Sequence, residues 1–163
     1  MKISSLIACA ALLVCGFANA QEAVTAAPDT DALFHSPDPK LNANKQVAYM
    51  IFKDLLEAGN WDHADKYLTE RYIQHNPNAK SGRDGVVYYF TKVLNVKPKP
   101  IAAKMTSKIV AVVAEGDLVT VSAVREYKDP KDASKNYTTT WFDTWRFKDG
   151  KADEHWDSAM KGG

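Results

Sequence analysis

Residues 138–160 read TTTWFDTWRFKDGKADEHWDSAM, and the fold turns on how they pair. Asp149-Gly150 is a two-residue hairpin signal, because glycine takes positive φ at no steric cost. Side chains alternate between the faces of a strand, so Thr139, Trp141, Asp143, Trp145 and Phe147 share one register. Its aromatic residues predict that this register faces the interior and carries the Asp143 carboxylate inward. Past the turn, Glu154, Trp156 and Ser158 share one face, and His155 and Asp157 the other. A lone aspartate among aromatics, beside a His-x-Asp pair on the next strand, is the first place to look for chemistry.

The chain has 163 residues, 45% of them hydrophobic, enough for one domain with a proper core. Residues 1–20 have the build of a secretory signal peptide: a basic Met1-Lys2 start, an apolar run too short to span a bilayer comfortably, and Ala18-Asn19-Ala20 as a cleavage site. A lipid anchor on Cys15 is the alternative. Val14 before it is larger than the small residue such a site uses, so cleavage after Ala20 is expected, giving a periplasmic or secreted protein with no membrane anchor. Cys9 and Cys15 leave with this segment, and neither disulfides nor thiol chemistry remain. Losing Lys2 turns the net charge of +1 into a balance of 20 basic and 20 acidic side chains. With no long basic run, nucleic acid is not the expected partner.

Residues 21–44 hold three prolines and little periodicity, and read as a flexible leader draped over a domain spanning 45–163. Apolar residues at Val47, Ala48, Ile51, Phe52, Leu55 and Leu56 predict an amphipathic helix over 45–59, ended by Gly59. Asn60 caps a short helix over 61–68. Residues 69–77 read as a helical turn passing into an extended segment stopped by Pro77. A third helix is expected over 84–95, then strands over 101–114 and 118–127, a polar loop over 128–135, and the hairpin. Helices followed by strands point to an α+β fold.

That layout resembles the nuclear transport factor 2-like cone, three N-terminal helices packed on a strongly curved antiparallel or mixed sheet. YIQHNPNAKSGRDGVVYYF (72–90) with FDTWRFKDGKADEHWD (142–157) resembles the SnoaL-like polyketide cyclase branch. The resemblance implies an apolar pocket between helices and sheet that holds a small hydrophobic carbonyl compound. It also implies acid–base chemistry without metal or organic cofactor, of aldol, isomerase or dehydratase type. Related ketosteroid isomerases carry an aspartate where Asp143 stands here, protonated and donating to an oxyanion. They carry an Asp-Pro general base where this chain has Asn76-Pro77, and an amide cannot take up a proton. Isomerisation by that route is therefore not expected.

Removing a proton next to a carbonyl needs a base, and the enolate needs a donor. Asp157 and His155 are the candidate bases. Asp143, if buried between Trp141 and Trp145, is the candidate acid, its pKa raised by desolvation. His75 is the fourth candidate catalytic residue, and Asn76, Trp141, Trp145, Trp156 and Tyr89 are candidate substrate contacts. Plainer roles stand beside these: an Asp143–Arg125 ion pair, a half-exposed His155, a His75 that caps a corner, tryptophans that only fill the core, and an Arg146 on the outer sheet. The histidines at 35, 63, 75 and 155 show no zinc-type spacing. A His75/His155/Asp157 site is the one metal arrangement left, and no metal is expected. A non-catalytic binder of a small apolar ligand is the alternative function, and a homodimer through the open sheet the expected assembly. Whether Asp143 and the His155/Asp157 pair meet in one cavity depends on the turn and on bulges.

Overall fold

The computed structural model describes residues 22–162. The segment read as a signal peptide lies outside them. Asp38 caps the first helix, accepting from the Leu41 amide at 2.9 Å, and Pro39 occupies its first turn, where no amide is needed. This helix, α1 (Pro39–Met50), runs on as a π-helical stretch, Ile51–Glu57. It starts six residues before the expected boundary. The leader is also less free than its composition suggests. Phe34 is fully buried in the core. Lys45 Nζ donates to the carbonyls of Leu33 and Val112, and the Ala27 amide donates to the Ile109 carbonyl. Residues 27–34 are thus part of the domain, held by one large aromatic side chain and a few backbone ties.

A short helix, α2 (Ala64–Tyr67), leads directly into β1 (Leu68–Gln74). The expected helical turn here is a strand instead. The third helix, α3 (Arg83–Tyr88), also widens into a π-helical stretch, Tyr89–Val93. Then come β2 (Ile109–Glu115), β3 (Leu118–Lys128), β4 (Asn136–Lys148) and β5 (Lys151–Asp157). Strand β2 starts eight residues later than expected, because 101–108 is irregular.

The strands form one mixed sheet in the order β1-β5-β4-β3-β2, with β1 parallel to β5 and the other pairs antiparallel. Its concave face carries Tyr72, Val119, Val121, Ala123, Trp145, Phe147 and Ala152, all buried against Phe52, Leu55 and Trp61 from the helical side. Trp145 is 2% exposed and meets Phe52 edge-on. Burying a side chain of this kind contributes about 2–3 kcal/mol. The β4–β5 turn is built as its sequence suggests, with Asp149 and Gly150 at φ 51° and 77°.

A register slip then changes what the hairpin presents. Lys148 pairs with Lys151 and Phe147 with Ala152, but Arg146 pairs with Glu154, leaving Asp153 as an extra residue. A bulge of this kind moves every later side chain to the opposite face. The bulged Asp153 is buried and is gripped from β1. Thr69 Oγ1 donates to Oδ1 at 2.8 Å and Arg71 Nε to Oδ2 at 2.9 Å, with Arg71 Nη2 closer still. The β1–β5 register is irregular at the same place, between Leu68 and Ile73, so Asp153 fills a gap between two strands that do not run in step.

Candidate functional site

Beyond the bulge, Asp143 stands opposite Asp157 and Trp145 opposite His155. Directly opposed residues share a face, so all four project from the concave side. They form one wall of a cavity of about 230 Å3 that is also lined by apolar side chains, among them Leu55, Val86 and Phe90. Trp61 stacks on Phe90 with ring centroids 3.9 Å apart. Both π-helical stretches contribute, the first through Ile51, Leu55 and Leu56 and the second through Tyr89 and Phe90.

His155 is held on every side. Its ring lies between Tyr72 and Trp145, with centroids at 6.2 and 5.1 Å. Nδ1 is 2.8 Å from Gln74 Oε1 and Nε2 is 3.1 Å from Asp143 Oδ1. The protonation pattern follows from the neighbours. Gln74 Oε1 already accepts from the Asn76 amide at 3.0 Å, so it is an oxygen, and Nδ1 must be the donor to it. Nε2 and Oδ1 then share a single proton, on one atom or the other. Trp141 Nε1 donates to the same Oδ1 at 3.2 Å.

Asp157 differs. Its Oδ2 accepts from Asn76 Nδ2 at 2.7 Å and its Oδ1 from the Ala159 amide at 3.0 Å. Asn76 Oδ1 in turn accepts from the Asn78 amide, which fixes the orientation of the Asn76 amide group. Both Asp157 oxygens receive protons and neither needs to give one. Below them, Trp145 Nε1 donates to the Tyr72 hydroxyl at 2.9 Å. Burial pushes the Tyr72 phenol well above its ordinary value, the Trp145 bond pulls it back, and the Asp143 and Asp157 charges push it further up. Tyr72 therefore stays neutral beside two carboxylates.

Of the residues singled out from sequence, Asp143, His155, Asp157, Asn76, Trp141, Trp145 and Tyr89 all line the cavity. His75 and Trp156 do not. They lie on the outer face of the sheet, stacked on each other at 5.1 Å, with His75 Nε2 2.8 Å from Glu154 Oε1 and Arg146 over the Trp156 ring. The His75 side chain is 44% exposed against 8% for His155. The reason is strand alternation. Tyr72, Gln74 and Asn76 point inward, so His75 must point out. The expected His155–Asp157 partnership is likewise replaced by His155–Asp143. Cavity residues not singled out include Gln74, Tyr72 and Trp61, and the same alternation across 72–76 points to the first two.

A metal site built on His75 is excluded by this geometry. Asp143, His155 and Asp157 offer one donor atom each, all within 4.8 Å of one another. Such a set suits a hard or borderline divalent ion, and the Gln74 bond to Nδ1 would leave Nε2 as the ligand atom. The same atoms are already engaged by one another and by Trp141, Asn76 and Ala159.

No curated protein sequence matches the chain. Among solved structures, it resembles a candidate SnoaL-like polyketide cyclase from Jannaschia sp. CCS1, at 16% identity, over 76% of this chain and 91% of that one, with a TM-score of 0.54. It also resembles a nuclear transport factor 2-like protein of unknown function from Burkholderia pseudomallei K96243, at 16% identity, over 72% and 91%, with a TM-score of 0.53. A candidate polyketide cyclase from Acidithiobacillus ferrooxidans matches at 15% identity over 71% and 86%, with a TM-score of 0.51. At such identities the likeness shows a shared α+β cone. The model of the SnoaL-like domain matches residues 50–155, from the last residue of α1 to His155 itself. The chain belongs to the SnoaL-like domain family.

Proposed function

We propose that this protein carries out acid–base chemistry on a small, largely apolar carbonyl compound, moving a proton at the carbon next to the carbonyl. One observation carries the reading: a proton acceptor and a proton-sharing pair stand side by side on the wall of a largely apolar cavity. Asp157, whose oxygens only accept, is the base. The proton shared by His155 Nε2 and Asp143 Oδ1 is the one given to the enolate oxygen, and the flanking rings and Gln74 hold the imidazole in line. Donor atoms within 4.8 Å of one another suit a fragment whose carbon and oxygen each sit about 3 Å from their partner. The water-poor surroundings strengthen both interactions. Aldol condensation, isomerisation and dehydration all begin with this step.

A second reading rests on the engagement of Asp157 by Asn76 and the Ala159 amide. Those bonds weaken a base, and a binder would use the same polar wall only to orient a ligand. Two further parts of the proposal concern context. Export fits the build of residues 1–20, and a homodimer through the sheet fits the exposed Phe142 and Val113 on its outer face.

The test is wash-out of α-deuterium from deuterated 2-acetylnaphthalene, followed by NMR. Catalysed exchange that falls at least about a hundredfold in Asp157→Asn, with the ketone still bound, supports the enzyme reading. Binding without exchange above buffer leaves the binder.

A further inference from the structure

Arg125 is the charged side chain of the cavity with no part in the chemistry above. We propose that it anchors an anionic group, so that the ligand is an apolar carbonyl compound that also bears a carboxylate or similar oxyanion. This rests on the pocket reading and adds the ligand's charge to it.

The position is specific. Along β3, Val119, Val121, Ala123 and Arg125 share the concave register, the first three buried and Arg125 exposed where the cavity opens. Ala123 pairs with Trp141, and its small side chain leaves the indole face uncovered. The Arg125 guanidinium lies over that face, 5.4 Å from the ring centroid. Stacking of this kind holds the plane of the fork while leaving its N–H edge free.

The contrast with other arginines is informative. Arg71 is committed to Asp153, and Arg146 to Asp117 and Glu154. Among the described residues no carboxylate forms an ion pair with Arg125, and its orientation comes from an aromatic ring. Within the cavity, Asp143 is matched by His155 and Asp157 by two amide donors. The guanidinium is the group left to be matched, and a planar oxyanion fits it in two parallel hydrogen bonds. Trp141 also sets the spacing. Its Nε1 reaches Asp143 while its face carries Arg125, so an anion on Arg125 lies one indole away from the Asp143–His155 proton.

Two probes of equal size test this by calorimetry: 2-naphthoate, and the neutral ketone 2-acetylnaphthalene. The wild-type protein is expected to bind the carboxylate about tenfold more tightly. Arg125→Gln should abolish that preference through weaker carboxylate binding, with ketone affinity within about twofold of wild type. Arg125→Lys keeps the charge but loses the planar fork and should retain a reduced preference. It also provides a second folded variant, with circular dichroism as the check on both. Equal affinity for the two probes in the wild type, or a preference unchanged in both variants, overturns the anion site while leaving the pocket reading intact. Binding of neither probe overturns both.

Discussion

Asp143 faces Asp157 across the β4–β5 ladder only because Asp153 is an extra residue between the turn and His155. In an unslipped hairpin Asp143 would face Trp156 and Trp145 would face Glu154, and the cavity wall would lose both its base and its imidazole to solvent.

Asp153 should therefore matter to fold and site together, although it lines no cavity. Its carboxyl is buried, and Arg71 foremost, with Thr69, holds it below the usual carboxylate range against the cost of burial. Arg71 is largely exposed and can be rehydrated, so the loss on Asp153→Ala is set mainly by the missing hydrogen bonds, about 1–3 kcal/mol. Urea denaturation reads that loss directly. Exchange activity should fall as well, because His155 lies two residues along the same strand. A variant with wild-type stability would show that the slip is maintained by the turn alone.

The two histidines near the sheet separate cleanly. His75→Ala removes an exposed pair with Glu154, expected to be worth at most about 1 kcal/mol, and should leave deuterium exchange within about twofold of wild type. His155→Ala removes the shared proton and opens a gap between Tyr72 and Trp145. It should lose exchange by about a hundredfold or more. The same assay on both variants decides it, and a large defect in His75→Ala would move the chemistry to the outer face.

The fold was readable because its signals are local: the Asp149-Gly150 turn, the aromatic register of β4, and the periodicity of the main helix. Asp38-Pro39 was a readable helix start too, but the proline-rich surroundings masked it. Of the site, Asp143 could be found because it stands alone among aromatics. The outward position of His75 is not marked in the extended segment before Pro77, because the apolar Ile73 shares its register while the inward Gln74 and Asn76 are polar. The union of Asp143 with His155 and Asp157 was not readable at all. It depends on one bulge, stabilised by Thr69 and Arg71 more than eighty positions away in sequence, and no local signal in the hairpin announces it.

Stability should form a plateau with losses on both sides. Asp153 is depressed chiefly by Arg71, and Glu154 chiefly by His75. Burial raises Asp54, but hydrogen bonds from Tyr67, Asn60 and His63 together bring it below its ordinary value. For depressed carboxylates the unfolded chain binds protons first. Their contribution is complete above about pH 4 and is lost as pH falls further. Burial raises Tyr72 and Tyr67, so their contribution is present below about pH 10 and disappears above it. Tyr72→Phe should leave the Trp145 N–H buried without a partner, at a cost of about 1–3 kcal/mol at neutral pH, and should lessen the alkaline loss. Thermal melts from pH 3 to 11 check both. An alkaline loss undiminished in Tyr72→Phe assigns it to Tyr67.

Asn76 offers the sharpest test of which carboxylate is the base. Its Nδ2 donates to Asp157 Oδ2 at 2.7 Å, and its oxygen is taken by the Asn78 amide. Asn76→Asp puts a second carboxylate against Asp157, and the two cannot both be ionised at that distance. Exchange at neutral pH should drop and its pH profile should move upward, because the shared proton must leave before Asp157 can act. Exchanging the two residues, Asn76→Asp with Asp157→Asn, restores an amide beside a carboxylate and should recover the stability lost in the single variant. It should not recover exchange if the base must stand across from Asp143. Recovery of both would mean that the cavity asks only for one carboxylate at this contact, on either side of it, and the roles assigned to Asn76 and Asp157 would have to be traded.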